Sequence, residues 1–255
     1  FRADKAGHTG SLDPLATGML PVCFGEATKF AGHLLDADKE YRVRLRFGSR
    51  TDTADADGSV VAVADRQVVE PADLAAVLPR FRGPIEQVPP MYSALKQGGR
   101  RLYELARAGQ ELPRAARSVR IHGLEVLEPD PAAPVLWVRC SKGTYIRSLV
   151  EDLAAALGTF AHVVELRRLA VDPFPADGMV TLEALQAAAA RDDLARYLLP
   201  VDAGLADWPR IELPADGAVR LQSGRTVNVA GAAGGPGRVY GPDVRFLGIA
   251  EVGPG

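Results

Sequence analysis

Cysteine is scarce in this chain: Cys23 and Cys140 are the only 2 among 255 residues, and no C-x-x-C spacing occurs. With the 4 histidines scattered, neither a disulfide framework nor a zinc site is written here, and buried thiols are expected instead. Long apolar runs are also missing. Nothing approaches the ~18 consecutive residues that cross a bilayer, and the amino end carries no secretory signal, so no membrane partner and a cytoplasmic location are expected. Charge of neither sign dominates: at a net of -2, a nucleic-acid partner would have to be held by local patches rather than by bulk charge. A starting methionine is lacking too; the chain opens FRADKAGHTG, and the natural amino end is expected to lie upstream. Repeats and low-complexity tracts are absent apart from AGAAGGPG (230–237), which reads as a loop. What is present, 47% hydrophobic and 24% charged residues with 26 Gly and 19 Pro, suits a folded chain rich in turns. The length allows one large domain, or one of roughly 190 residues with a small appendix.

The periodicity reads as α+β. Residues 41–47, YRVRLRF, alternate strictly, with Tyr41, Val43, Leu45 and Phe47 on one face and Arg42, Arg44 and Arg46 on the other, as in a half-buried strand. Asp57-Gly58 follows between two strand-like runs and predicts a hairpin turn. Short helices are expected over 71–81 and over 101–109, the latter stopped by Gly109. VLWVRCS (135–141) reads as a strand, followed by an amphipathic helix with Ile146, Leu149, Val150, Leu153 and Leu157 on one stripe, started by Thr144 and ended by Gly158. HVVELRRLAV (162–171) is a further strand, and 181–199 a further helix capped by Thr181. The result is a mixed, mostly antiparallel sheet with flanking helices. After Pro200 only short strand-like pieces remain, with no long helix, so 1–199 and 200–255 are expected to be a main domain and a small β module.

Three features carry possible chemistry. In GHTGSLDPLATG (7–18), Asp13 precedes Pro14, a pairing that favours a helix start with the carboxylate as cap; Gly7, Gly10 and Gly18 fit turns. Arg147 falls in the first turn of its helix, where the macrodipole disfavours a cation by up to ~1 kcal/mol, so an anionic partner is expected. Glu151 and Asp152 are the local choices. Between 94 and 120, Lys96, Arg100, Arg101, Arg107, Arg114, Arg117 and Arg120 face only Glu104 and Glu111, a net of +5, which is either a solvated helix face or a phosphate-binding patch. The acidic TDTADADG is no calcium loop, since an EF-hand with its glycine at 58 would need acids where Thr53 and Ala64 stand.

The segments AGHTGSLDPLATGMLPVCFGEATKF, KEYRVRLRFGSRTDTADADG, PPMYSALKQGGRRLYELARAG, CSKGTYIRSLVEDLAAALG and HVVELRRLAV, in that order, resemble the bacterial tRNA pseudouridine synthase B (TruB) family from residue 2 to about 171. The resemblance implies a pseudouridine synthase fold with a PUA-like tail, acting on uridine 55 in the T-loop of tRNA without cofactor or metal. It implies that Asp13 of G-H-x-G-x-L-D-P is the nucleophile. A carboxylate can capture an electron-poor sugar carbon or remove a sugar proton to give a glycal, and both routes stay open. By the same resemblance His8 lies against the flipped nucleotide, Tyr41 stacks on the uracil and is expected to help with proton removal at C5, Leu166 packs on the base's other side, and Tyr145 lines the pocket. Arg147 is implied to pair with Asp13, supported by Asp55. Residues 84–120 become an insertion that closes over the T-arm stem-loop while the base is extruded, with Lys96, Arg100 and Arg101 on the RNA backbone. A monomer is expected. The family also carries an upstream strand with a Lys-Pro motif, and this sequence begins after it.

Two other readings compete. An RNA-binding chaperone that remodels tRNA would not need Asp13. A carboxylate hydrolase of nucleosides or sugars would need a second acid/base carboxylate at fixed separation, and none stands out.

Overall fold

The computed structural model describes residues 1, 3–229, 231 and 234–253, which fold as two units: 10–21 with 35–179, and 1–9 and 22–34 with 180–255. In the first unit the alternation at 41–47 does what its pattern predicts. The strand Lys39–Phe47 buries Lys39, Tyr41, Val43, Leu45 and Phe47 and turns Glu40, Arg42, Arg44 and Arg46 outward. Six strands make the sheet: β1 (Thr17–Gly18), β2 (Lys39–Phe47), β3 (Gly83–Gln87), β4 (Arg117–Glu128), β5 (Val135–Cys140) and β6 (Ala161–Val171). Their order across the sheet is β1-β6-β2-β5-β4-β3, and every pair is antiparallel except β1 with β6. The fold is therefore the mixed, mostly antiparallel α+β arrangement that the periodicity predicts. Register places Tyr41 opposite Arg168 on one side and Val138 on the other, with Val43 between Leu166 and Leu136.

Helix α1 (Pro71–Val77) runs into a 3-10 turn at Leu78–Phe81, and helix α2 (Ile146–Ala156) lays its stripe on the sheet. Leu149 and Leu153 are wholly buried in one core with Val43, Leu45, Leu136 and Val138; truncating either to Ala would cost about 2–5 kcal/mol. Gly158, at φ +72°, ends α2 as expected, its N–H reaching the Ala155 carbonyl. Its start differs from expectation. Tyr145 occupies the cap, and the Thr144 hydroxyl turns back to the Ser141 carbonyl instead.

The hairpin predicted around Asp57-Gly58 forms, with Ser49–Thr51 pairing antiparallel to Val60–Val63 across a loop of residues 52–59. Ala54, buried at φ +62°, folds this loop back so that Asp55 bridges to Val163 of β6. A left-handed alanine costs on the order of 1 kcal/mol or more and persists only where its surroundings impose it. Here it delivers the Thr53 carbonyl and the Asp55 carboxylate to one place.

In the second unit, Thr181 caps a helix as expected, accepting from the Ala184 N–H, but the helix is Leu182–Ala189 rather than 181–199. Asp192 adopts φ +56° and the Asp193 N–H closes on the Ala188 carbonyl, which ends it; only a 3-10 turn, Leu194–Tyr197, follows. Aspartate tolerates this conformation by bonding locally. The tail holds a three-stranded sheet, Arg210–Glu212, Gly235–Tyr240 and Phe246–Val252, and also a helix, Ala215–Gln222, that the composition does not suggest. Gly217 masks it: in sequence a breaker, in the fold the point where the helix comes within contact of Val227. Of the loop expected over 230–237, residues 230, 232 and 233 lie outside the described residues, and Gly235 already opens a strand. Among the described residues no helix is long and apolar enough to cross a membrane.

Candidate active site

Asp13 starts no helix. Its carbonyl accepts the Ala16 N–H at 2.9 Å, closing a β-turn with Pro14 in the second position, which Asp-Pro favours as strongly as a helix start. The carboxylate is thereby freed from capping. β1 follows directly, and Gly18 fixes it: φ is +101°, and a Cβ would stand 2.1 Å from the Arg168 carbonyl oxygen, so no other residue fits.

The partner of Asp13 comes from α2. Buried Gln87 at the end of β3 accepts the Tyr145 N–H (3.0 Å) and donates to the Tyr145 carbonyl (3.3 Å), doing for the start of α2 what a capping side chain would do. Ser148 donates to the Val88 carbonyl. So anchored, Arg147 is 3% exposed and directs its guanidinium at Asp13, which is 32% exposed. Its Nε donates to Asp13 Oδ2 and its Nη2 to Asp13 Oδ1, both at 2.8 Å. Nη1 donates to the Thr53 carbonyl at 2.9 Å and Nη2 also to the Tyr92 carbonyl at 2.8 Å. Two parallel charge-assisted bonds fix the carboxylate in the plane of the fork. Neither Glu151 nor Asp152 is the partner. Asp55 stands 3.8 Å from Arg147 Nε and is itself held by the Thr53 hydroxyl at 2.5 Å and the Asp57 N–H at 3.2 Å.

Tyr41 lies on the inner face of β2 in the same core as Leu166, Leu15 and Ala16. Burial pushes its phenol up to about 12; Arg168 opposes that shift and Asp13 adds to it, so both charges reach the ring. Burial likewise raises the Tyr145 phenol, which also feels Arg147 and Asp13. The structure thus gathers Asp13, Arg147, Asp55, Tyr41, Tyr145 and Leu166 in one unit. His8 closes the Ala6–His8 strand opposite Val22, in the other unit. Lys96 and Arg101 pair across a two-residue hairpin whose turn, Gly98-Gly99, has φ of +59° and +82°, and Arg100 sits on its return strand. Arg101 and Arg107 lie over the Tyr103 ring. All three expected RNA-backbone residues are exposed.

Two buried cations escape the motif reading. Lys39 donates to the Leu35 and Ala37 carbonyls, and burial, followed by Arg168, lowers its ammonium pKa. Arg168, 1% exposed, takes an inward position on β6 two residues after Leu166. The signal for it was present: in HVVELRRLAV the inward phase that carries Leu166 next carries an arginine.

Comparison with known proteins settles the lineage. Residues 1–146 match the TruB family pseudouridylate synthase N terminal domain, 147–206 the tRNA pseudouridylate synthase B C-terminal domain, and 209–255 the pseudouridine synthase II TruB C-terminal domain. The chain belongs to the TruB family. It is 53% identical over 256 residues to the tRNA pseudouridine synthase B of Pseudomonas putida strain GB-1, covering 99% of this chain and 84% of that one. With the Sodalis glossinidius protein of the same name it shares 52% over 260 residues, covering 99% and 83%. Solved folds agree: an H/ACA RNP bound to a substrate RNA containing 2'-deoxyuridine superposes with a TM-score of 0.72 at 23% identity, covering 98% of this chain and 69% of that one. A Cbf5-Nop10-Gar1 complex gives 0.70 at 23% identity, covering 98% and 70%. Within the TruB frame, the Asp13 turn, β2 and the start of α2 form one constellation.

Proposed function

We propose that this TruB-family chain is a cytoplasmic tRNA pseudouridine synthase that isomerises uridine 55 in the T-arm stem-loop, with Asp13 as its nucleophile. The observation that carries the reading is the two-point Arg147–Asp13 pair, because it aims a partly exposed carboxylate from a glycine-bounded turn whose Leu15 and Ala16 pack on the core. The reaction breaks the N1–C1′ glycosidic bond, rotates the uracil, joins C5 to C1′, loses the C5 proton to solvent and takes up a proton at N1. Asp13 engages the ribose, Arg147 fixes its direction, and Asp55 supports Arg147. Tyr41, Leu166 and Tyr145 hold the extruded base by stacking and packing; His8 is a further nucleotide contact. Lys96, Arg100 and Arg101 meet the RNA backbone from the insertion 84–120, and the 1–199 domain works as a monomer alongside the PUA-like module 200–255. No metal or cofactor enters the proposal.

A T-loop hairpin tritiated at uracil C5 tests it. The unaltered protein should release tritium and leave pseudouridine in the RNA, and Asp13→Asn should release none. Equal remodelling of tRNA by both forms, with no release, would instead favour an RNA chaperone, whereas free uracil in the supernatant would indicate a hydrolase.

A further inference from the structure

Arg168 is buried, and its hydrogen bonds go to carbonyls of the segment 10–19 and to the Tyr41 side chain. Its Nε donates to Met19 O at 2.6 Å, its Nη2 to Gly10 O at 3.0 Å and its Nη1 to Ser11 O at 3.5 Å. Its own backbone carbonyl accepts the Met19 N–H at 2.8 Å. These contacts seize both ends of the segment 10–19 that carries Asp13. Across the sheet Arg168 is the register partner of Tyr41, and its charge acts on that phenol. Lys39, a second buried cation, lies near enough for the two charges to repel. A buried cation without a carboxylate partner, beside another cation, is costly to stability. Local sacrifices of this kind concentrate where function sets the geometry.

Arg147 cannot do this work alone. It fixes the Asp13 carboxylate from the α2 side, but its bonds to that residue leave the ends of the turn free. Nor does the Gly18 pairing suffice, since it holds only the carboxyl-terminal end of the segment. Of the side chains around the turn, the Arg168 guanidinium joins the two ends and the Tyr41 ring.

We infer that Arg168 is a positioning residue for the isomerisation: it holds the Gly10–Met19 segment against Tyr41, so that Asp13 meets the ribose at the same moment as the base meets the ring. The inference rests on the proposed function above. It predicts a loss in kcat rather than in RNA binding, because the basic hairpin is untouched. A displacement of about 1 Å at a catalytic group costs on the order of 100-fold.

The test is tritium release from the C5-labelled hairpin, with kcat and KM measured separately for Arg168→Met and Arg168→Lys and with folding checked by circular dichroism. Arg168→Met should lower kcat on the order of 100-fold at a KM within about threefold. Arg168→Lys, which keeps the charge and can reach some of the carbonyls, should recover about a tenth of the unaltered kcat. A folded Arg168→Met with kcat within about threefold of normal, or with its loss confined to KM, overturns the inference. If Arg168→Met does not fold, Arg168→Lys decides alone: a kcat about tenfold down at constant KM supports the role, and an unchanged kcat sinks it. Failure of the unaltered protein to release tritium would sink the proposed function itself, a result distinct from equal activity in all three proteins.

Discussion

Two arginine–carboxylate clusters flank the same sheet and differ chiefly in how much water reaches them. On the outer face, Arg42 pairs with Glu128 at 2.6 Å and with Glu165 at 3.4 Å, and Arg44 pairs with the same two acids at 2.8 and 3.4 Å. At the start of α2, Arg147 pairs with Asp13 at a similar 2.8 Å. The outer acids are half exposed or more, so their attraction is screened and each guanidinium can exchange a carboxylate for solvent. Arg147 has no such alternative, and each of its bonds constrains a different segment: the Asp13 turn, the Thr53 loop and the Tyr92 chain. Similar distances therefore do different jobs. The outer network covers a sheet face; the inner pair fixes three segments relative to one another.

The comparison can be broken most forcefully at Arg147. Arg147→Met should abolish tritium release and, by leaving Asp13 and two carbonyls without their donor, destabilise the fold by about 3–5 kcal/mol in urea titration. A loss under ~1 kcal/mol would show the inner pair to be no different from the outer ones. Tyr41→Phe comes next. Removing a hydroxyl that stays protonated to about 12 should lower kcat by ~10- to 100-fold without removing an alkaline limb from the pH profile between 7 and 10, since no ionised phenol exists there to lose. An alkaline limb present in the unaltered protein and absent from Tyr41→Phe would contradict this. For the basic hairpin, replacing Lys96, Arg100 and Arg101 by Ala should raise KM several-fold and reduce the slope of log K against log salt by about 2–3, with kcat kept. The smallest effect belongs to the outer network. Bonds from Arg42 and Arg44 hold the Glu128 carboxyl below its ordinary value. A depressed folded-state pKa contributes stability that is complete above the unfolded pKa, near 4.5, and fades as pH falls through the lower folded value. Glu128→Gln should therefore melt slightly below the unaltered protein at pH 7, with the gap closing below about pH 4.5; a gap that widened on acidification would reverse the assignment.

Much of the fold was legible because it rests on local periodicity. The 41–47 alternation, the α2 stripe, Gly158 and Thr181 each act within a few residues of themselves, and each appears where the pattern puts it. Misreadings arose where two local outcomes compete at nearly equal cost. Asp13-Pro14 suits a turn as well as a helix start, and the Thr144 hydroxyl can bond back to the Ser141 carbonyl as well as start α2. At the site, the resemblance singled out Asp13, Arg147 and Asp55, but it passed over Gln87, Lys39 and Arg168, whose positions have meaning only through the strands beside them.

The sequence by itself determined which faces are apolar, where α2 ends, and that a cation in its first turn needs an anion, since those follow from side-chain spacing and the dipole of the peptide unit. Only the tertiary structure decided which anion answers. Asp13 lies 134 residues from Arg147, and their meeting depends on β1 pairing beside β6 and on α2 packing across the sheet. Choosing among several carboxylates at such separations takes the closure of the whole sheet, because the guanidinium is desolvated and aimed only once β1, β6 and α2 have come together.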